Sequence, residues 1–304
     1  MEKQEKPSFG HRIEYVLVRI TVFVVGLLPI RCALSLGAFM GWFAWKVLRI
    51  RRSIVLVNLE LAFPEKSREE LKRIALLSFK NSGRFMIEFA RQWKMDQSYI
   101  EKHIRIDNPE ALEVLLREKG AIIITGHFGN WELFGIANKY LLGDVAFLVG
   151  RQSNSLVDGF INHMRSMHGI ELYNRRAAVK GVLSSMKRGG YVCWLSDQDA
   201  GDSGIIVNFF DYPASTPRGA AAFSAKIGVP VVLAALLRIG KGPDHRLVIK
   251  EPIRPEGDIS REEAEERITQ QYTLELERLI RESPELYWWA HRRWKTTGLY
   301  KDRT

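Results

Sequence analysis

The sequence predicts an α/β fold, a central and largely parallel sheet flanked by helices, preceded by an N-terminal membrane-associated helical region. Three observations predict it. From residue 104 onward, short apolar runs alternate with helical patterns, which is how strands joined by crossover helices read in sequence. Residues 121–135, AIIITGHFGNWELFG, combine a buried-type strand, a glycine-flanked loop and a helix start. Residues 13–48 are mostly apolar, broken by Glu14, Arg19, Pro29, Arg31 and Lys46.

That N-terminal stretch has a clean apolar run of 11 residues, 20–30, whereas a span needs about 20. Three forms stay open: one tilted span, a hairpin-like interfacial insertion with Trp42 and Trp45 at the interface, or a buried helix pair. Arg49, Arg51 and Arg52 follow at once and place the next domain on the cytoplasmic side. The division expected is residues 1–60 as membrane anchor and 61–304 as catalytic domain. Ser67 and Glu70 form a capping box for a helix over 68–93. On it, Arg84 and Glu88 read as a solvated i, i+4 pair. Phe85, Ile87 and Phe89 read as core packing or as contacts for an apolar ligand.

Asp107 or Asn108, followed by Pro109, starts a helix ending at Gly120. Strands are expected at 121–125, 145–149, 170–173, 191–195, 205–209, 229–237 and 246–250. Helices are expected over 131–139, from Ser153 or Asn154 to His168, over 177–187, and from a second capping box, Ser260 with Glu263, to Glu282. Residues 214–218 read as a turn in which Thr216 caps the next helix and Pro217 takes its first position.

The chemistry is expected at strand ends. Gly126 and Gly129 bracket His127 and permit a sharp turn, and Asn130 is a good N-cap. His127 on the loop and Glu132 in the first helical turn have four residues between them. The carboxylate is expected to orient the imidazole, which then takes a proton from an attacking hydroxyl. Amides at the helix start are poised for an oxyanion. Arg151 follows the strand over 145–149, and Arg165 lies on the next helix; from position alone each reads as an anion ligand or as a surface charge. Asp197, Gln198 and Asp199 close the strand over 191–195. Two carboxylates there suit a metal or an arginine; with no companion ligands, orientation is preferred, Asp197 holding Arg165 or positioning the acceptor with Gln198 beside it. Thr216 and Arg218 at a helix start suit an anionic group or ordinary capping. No metal and no cofactor are expected.

Composition narrows the partners. The 304 residues carry a net charge of +10 and eight tryptophans. Such a balance favours anionic partners: an anionic membrane surface, an acidic carrier protein or nucleic acid. No nucleic-acid module is present in the sequence, so nucleic acid is not expected. The two cysteines, Cys32 and Cys193, are far apart in apolar surroundings, which fits a reducing compartment.

GHFGNWE in this setting resembles the His-x4-Asp/Glu signature of the glycerolipid acyltransferases. Together with ASTPRGAAAFSAKIGVPVV, WLSDQD, NLELAFPEKS and YWWAHRRWK it resembles, over nearly the whole chain, the bacterial lipid A biosynthesis acyltransferases. The resemblance implies the glycerolipid acyltransferase architecture and transfer of a fatty acyl group from acyl carrier protein or acyl-CoA. The acceptor it implies is a hydroxyl of a membrane glycolipid, a Kdo-lipid A precursor, at the cytoplasmic face of the inner membrane. Arg151 and Arg165 match basic positions of that family, which implies that they bind a phosphate or the polarised thioester oxygen, and the tail is implied to close the sheet with its basic groups toward the acceptor's phosphates.

Overall fold

The computed structural model describes residues 7–174 and 178–300; the expected helix start at Ala177 lies outside them. Four helices come first: α1 (Phe9–Leu27), α2 (Ile30–Lys46), α3 (Arg52–Ala62) and α4 (Arg68–Arg91). Then follow α5 (Gln97–His103), β1 (Ile104–Ile106), α6 (Pro109–Arg117), β2 (Ala121–Thr125), α7 (Trp131–Leu142), β3 (Val145–Val149) and α8 (Ser155–Ser166). The remainder is β4 (Glu171–Asn174), α9 (Ala178–Lys187), β5 (Tyr191–Leu195), β6 (Ile205–Phe209), β7 (Tyr212–Thr216), α10 (Gly219–Ile227), β8 (Val231–Arg238), β9 (His245–Ile249) and α11 (Arg261–Glu282).

Seven strands form one sheet in the order β1-β9-β8-β2-β5-β3-β4. All neighbours are parallel except β8 and β9. The centre of the sheet is buried on both faces, as a continuous apolar run requires. Ile122 and Ile124 of β2, with Val231, Leu233 and Ala235 of β8, face one core, shared with α3, α4, α11 and the tail. Ile123, Val232 and Ala234 face the other, shared with α6 and α7. Period-two alternation therefore fills both layers from the same strands. β6 and β7 form a separate antiparallel hairpin. Residues 214–216 of the expected 214–218 turn thus belong to strand β7, and Arg218, not Thr216, stands at the N-cap of α10.

The apolar N-terminal stretch is two helices. Pro29 disfavours helical geometry at Leu28, whose ψ is 146°, and so separates α1 from α2. Among the described residues no helix is long and apolar enough to cross a membrane. Phe9, Phe23 and Leu27 of α1 are 79%, 65% and 69% exposed. The terminal carbonyls of α1 are satisfied by side chains: Arg91 donates to Leu28 at 2.8 Å and Lys94 to Gly26 at 2.7 Å. Helix α2 packs backbone-close on α4, where a Cβ on Gly41 would lie 2.0 Å from the Phe79 carbonyl.

Glu88 departs from the solvated pair expected on α4. Its side chain is fully buried and takes both guanidinium nitrogens of Arg238, with Nη1–Oε1 at 3.0 Å. Arg84 bonds Asn81 instead. The helix face that carries Glu88 is turned inward by α4 packing on α7 and β8, which a charge pattern alone does not reveal. Burial pushes His245, 3.7 Å from Glu88, down to about 4 against the pull of that carboxylate, so it is neutral at neutral pH and the ion pair is with Arg238. Glu88→Ala strands a buried guanidinium and is expected to lower unfolding stability by about 3–5 kcal/mol in denaturant titrations. Glu88→Leu combined with Arg238→Met should recover most of that loss; a double variant no better than the single one would refute the pairing.

Candidate active site

The sheet register builds the site. β2 and β5 are parallel neighbours that pair Thr125 with Leu195. Continued two residues past both strands, the same register sets His127 beside Asp197. The Asp197 carboxylate accepts from the His127 backbone N–H at 2.8 Å through Oδ2 and from ring Nδ1 at 2.8 Å through Oδ1. A buried carboxylate that takes Nδ1–H leaves Nε2 as the basic nitrogen. The Gln198 amide nitrogen stands 3.3 Å from Nε2, which agrees with that tautomer. The His127 side chain is 24% exposed and that of Asp197 only 2%, so the histidine reaches the cavity while the acid does not.

Glu132 does not take the orienting position expected of it. It points from the first turn of α7 toward α8 and binds Arg165 through both carboxylate oxygens, with Nε–Oε2 at 2.9 Å. Asp197, expected to hold Arg165 or the acceptor, holds His127 instead. The two acids have exchanged partners because strand pairing brings the loop after β5 to the histidine, while the α7 turn carries Glu132 away from its ring. Asn162 also accepts from Arg165, at 3.2 Å.

These groups border a cavity of about 370 Å³ between α4, α7, α8 and the ends of β2, β3 and β5. His127, Glu132, Arg165 and Gln152 supply its polar groups; Phe85, Met86, Phe89, Phe134 and Phe147 supply an apolar wall. A cavity that sets polar groups beside an apolar wall suits an amphiphile. Phe85 and Phe89 thus border the cavity, whereas Ile87 is buried with α1 and α2. Arg151 is exposed where the chain leaves β3, between the cavity residues Gly150 and Gln152.

Thr216 and Arg218 lie elsewhere. Thr216 is fully buried, outside the lining of the His127 cavity, and accepts from Arg293 at 2.5 Å. Arg218 pairs with Glu265 at 2.5 Å on α11. The tail closes the structure, with Trp289 and Trp294 in the core. Arg293, one of its basic groups, is turned inward and buried, donating to the Ser215 carbonyl at 2.5 Å. Trp288 N–H donates to the His127 carbonyl at 2.9 Å, pinning the loop from the tail. The tail's mixed aromatic and basic residues signalled its importance, but no spacing rule assigned Arg293 to the interior.

The loop is held on every side. Gly129 N–H donates to Leu286 and Asn130 N–H to Leu236. Asn130 caps α7 through Leu133 N–H at 3.0 Å, as its place in the sequence predicts, and its amide donates to Glu88 at 2.6 Å. The first N–H groups of a helix have no intrahelical partner, so those of Trp131 and Glu132 stand at the positive end of α7.

Burial works against the charged imidazolium of His127, but the Asp197 carboxylate outweighs it and Glu132 adds to it, so the His127 pKa lies above its ordinary 6.5. Burial likewise opposes ionisation of Asp197, and the His127 ring, its hydrogen bonds and the Arg293 guanidinium outweigh it, so the carboxyl is held below its ordinary range. The arrangement is a base with a fixed tautomer, a buried anion behind it and a carboxylate–guanidinium pair alongside, capable of taking a proton from a hydroxyl.

A family model described as bacterial lipid A biosynthesis acyltransferase matches residues 2–296. The chain is 26% identical over 279 residues to the lipid A biosynthesis lauroyltransferase of Escherichia coli (strain K12), covering 90% of this chain and 89% of that protein. It is 26% identical over 271 residues to the lipid A biosynthesis palmitoleoyltransferase of the same organism, covering 88% and 86%. The crystal structure of the 1-acyl-sn-glycerophosphate (LPA) acyltransferase PlsC from Thermotoga maritima overlays with a TM-score of 0.34 at 16% identity, covering 81% of this chain and 95% of that one.

Proposed function

The chain belongs to the bacterial lipid A biosynthesis acyltransferase family, and from that premise we propose that it transfers a fatty acyl group from an acyl thioester to a hydroxyl of a Kdo-bearing lipid A precursor. The donor is acyl carrier protein or coenzyme A, and the basic net charge of +10 suits either. The observation that carries the reading is the His127–Asp197 pair opening onto an apolar-walled cavity. His127 Nε2 takes the hydroxyl proton as the oxygen attacks the thioester carbonyl. The carbonyl oxygen gathers negative charge near the Trp131 and Glu132 amides, with Arg165 alongside. As the C–S bond breaks, the imidazolium returns the proton to the leaving thiolate. Asp197 orients the ring, and Glu132 positions Arg165. Gln198 steps aside from Nε2 when the acceptor arrives, and Arg151 at the rim meets an acceptor phosphate.

Residues 1–60 supply the membrane-facing helices and 61–304 the chemistry. The exposed apolar side chains of α1 and α2 favour an interfacial seat in the inner membrane, with Arg49, Arg51 and Arg52 toward anionic headgroups on the cytoplasmic side. The test is an acyl-transfer assay in mixed micelles with lauroyl- or myristoyl-acyl carrier protein and a Kdo-bearing lipid A precursor. Acylated precursor is the expected product. Free fatty acid alone would identify a hydrolase, and tight binding of the precursor without turnover would sink the catalytic reading.

A further inference from the structure

Helix α8 presents two different faces. Ile161 and Arg165, one turn apart, border the catalytic cavity. Phe160, His163, Met164 and Met167, spaced i, i+3, i+4 and i+7, turn to its other side and line an open groove of about 840 Å³. The opposite wall is α1, through Tyr15, Arg19 and Phe23. The two helices are clipped together at one end, where Asn154, the N-cap of α8, donates to the His11 carbonyl at 2.9 Å and to Glu14 at 2.8 Å.

Arg19 gives the groove its chemical direction. Its guanidinium lies 5.1 Å over the Phe160 ring and donates to the Tyr15 hydroxyl at 2.8 Å. Among the described residues no carboxylate pairs with it. A cation held in place by rings and a neutral hydroxyl, in a channel whose walls are mostly apolar with His163 and Ser155 as further polar groups, is complementary to an anionic headgroup followed by hydrocarbon. We propose that this groove receives a hydrocarbon chain that the acceptor lipid already carries, with Arg19 meeting its anionic headgroup. The inference rests on the acyl-transfer reading above. The donor's chain is not the occupant, because its carbonyl must lie against the hydroxyl held at His127 Nε2, near the Trp131 and Glu132 amides, and its chain therefore in the cavity on the other face of α8. One helix, about 10 Å across, separates groove from cavity, a distance that a glycolipid spans between its reacting hydroxyl and a neighbouring chain. The exposed apolar face of α1 carries the groove's wall out toward the bilayer.

Gly159 offers the test. It borders the groove, and a Cβ built there meets nothing within 4 Å, so Gly159→Leu fills the channel rather than the protein. A lipid A precursor tagged with a diazirine on an existing chain should label peptides containing Phe160, Met164 or Met167 in the wild type. In Gly159→Leu that labelling should fall, and the KM for the acceptor should rise about tenfold, the equivalent of about two methylenes left unburied, while the donor KM stays in place. Gly159→Ala, a smaller plug, should give an intermediate value and guards against misfolding, and Arg19→Gln should raise the acceptor KM without moving the donor's. Labelling confined to other segments, or an acceptor KM unmoved by Gly159→Leu while transfer proceeds, would overturn the proposal and leave the acyl-transfer reading intact. Labelling of the groove by tagged phosphatidylglycerol in vesicles, with the acceptor KM unmoved, would assign it to bulk lipid and overturn it equally. Loss of transfer in every form, wild type included, would instead count against the acyl-transfer reading.

Discussion

His127→Ala is expected to lose acyl transfer by about a hundredfold or more, the contribution of a positioned general base. The ring is the basic group directed at the cavity, and Asp197 lies behind it with only 2% of its side chain exposed, out of reach of a substrate hydroxyl. The variant should keep its fold. The His127 backbone N–H still reaches Asp197 and its carbonyl still accepts from Trp288, so the loop retains its main-chain anchors. The measurement is initial-rate transfer at saturating donor, with thermal unfolding run in parallel. Transfer within about fivefold of wild type would remove His127 from the role of base, since such a loss falls below what general-base catalysis supplies.

Asp197→Asn should cost transfer about a hundredfold as well, and for a reason that hydrogen-bond counting makes plain. His127 offers two donors, its backbone N–H and Nδ1–H, each 2.8 Å from a different Asp197 oxygen. An asparagine has one acceptor oxygen, so in either orientation it sets N–H against N–H or forces the ring into the tautomer whose Nε2 is already protonated. The pH profile separates this from simple loss of fit. With the His127 pKa above 6.5, wild-type kcat/KM should fall as the pH drops through that raised value, because the base is then protonated. Removing the carboxylate removes the largest influence favouring the imidazolium and leaves burial, which disfavours it, so the acid limb should move to lower pH. Glu132→Gln should shift the limb less, since Glu132 is the smallest of the contributions to the raised pKa and its direct partner is Arg165. An acid limb that stays in place in Asp197→Asn but moves in Glu132→Gln would return the orienting role to Glu132.

That comparison also marks where sequence reading stops. The strand–loop–helix around His127 was legible because its signals are local: an apolar run, two glycines, an asparagine placed to cap. The same holds for the capping box of Ser67 and Glu70, both halves of which form. Which acid serves the histidine was not legible. Four intervening residues favoured Glu132, whereas Asp197, 70 positions along the chain, was hidden by distance in sequence. Arg84 and Glu88 failed likewise, because i, i+4 spacing names a helix face without saying whether that face meets water or protein.

By itself, then, the sequence determined most of the element types outside residues 212–216, the sheet's double-sided burial, the loop that carries the histidine, and the family. These depend on local steric and solvation preferences that act over a few residues. Only the tertiary structure decided that β5 lies beside β2 and brings Asp197 to His127, that Glu132 faces Arg165, that Thr216 and Arg293 bind each other inside, and that α8 divides a cavity from a groove. Those are pairings between segments distant in the chain. Strand order and helix docking are chosen by how apolar surfaces are jointly buried, and no local pattern encodes which neighbour wins.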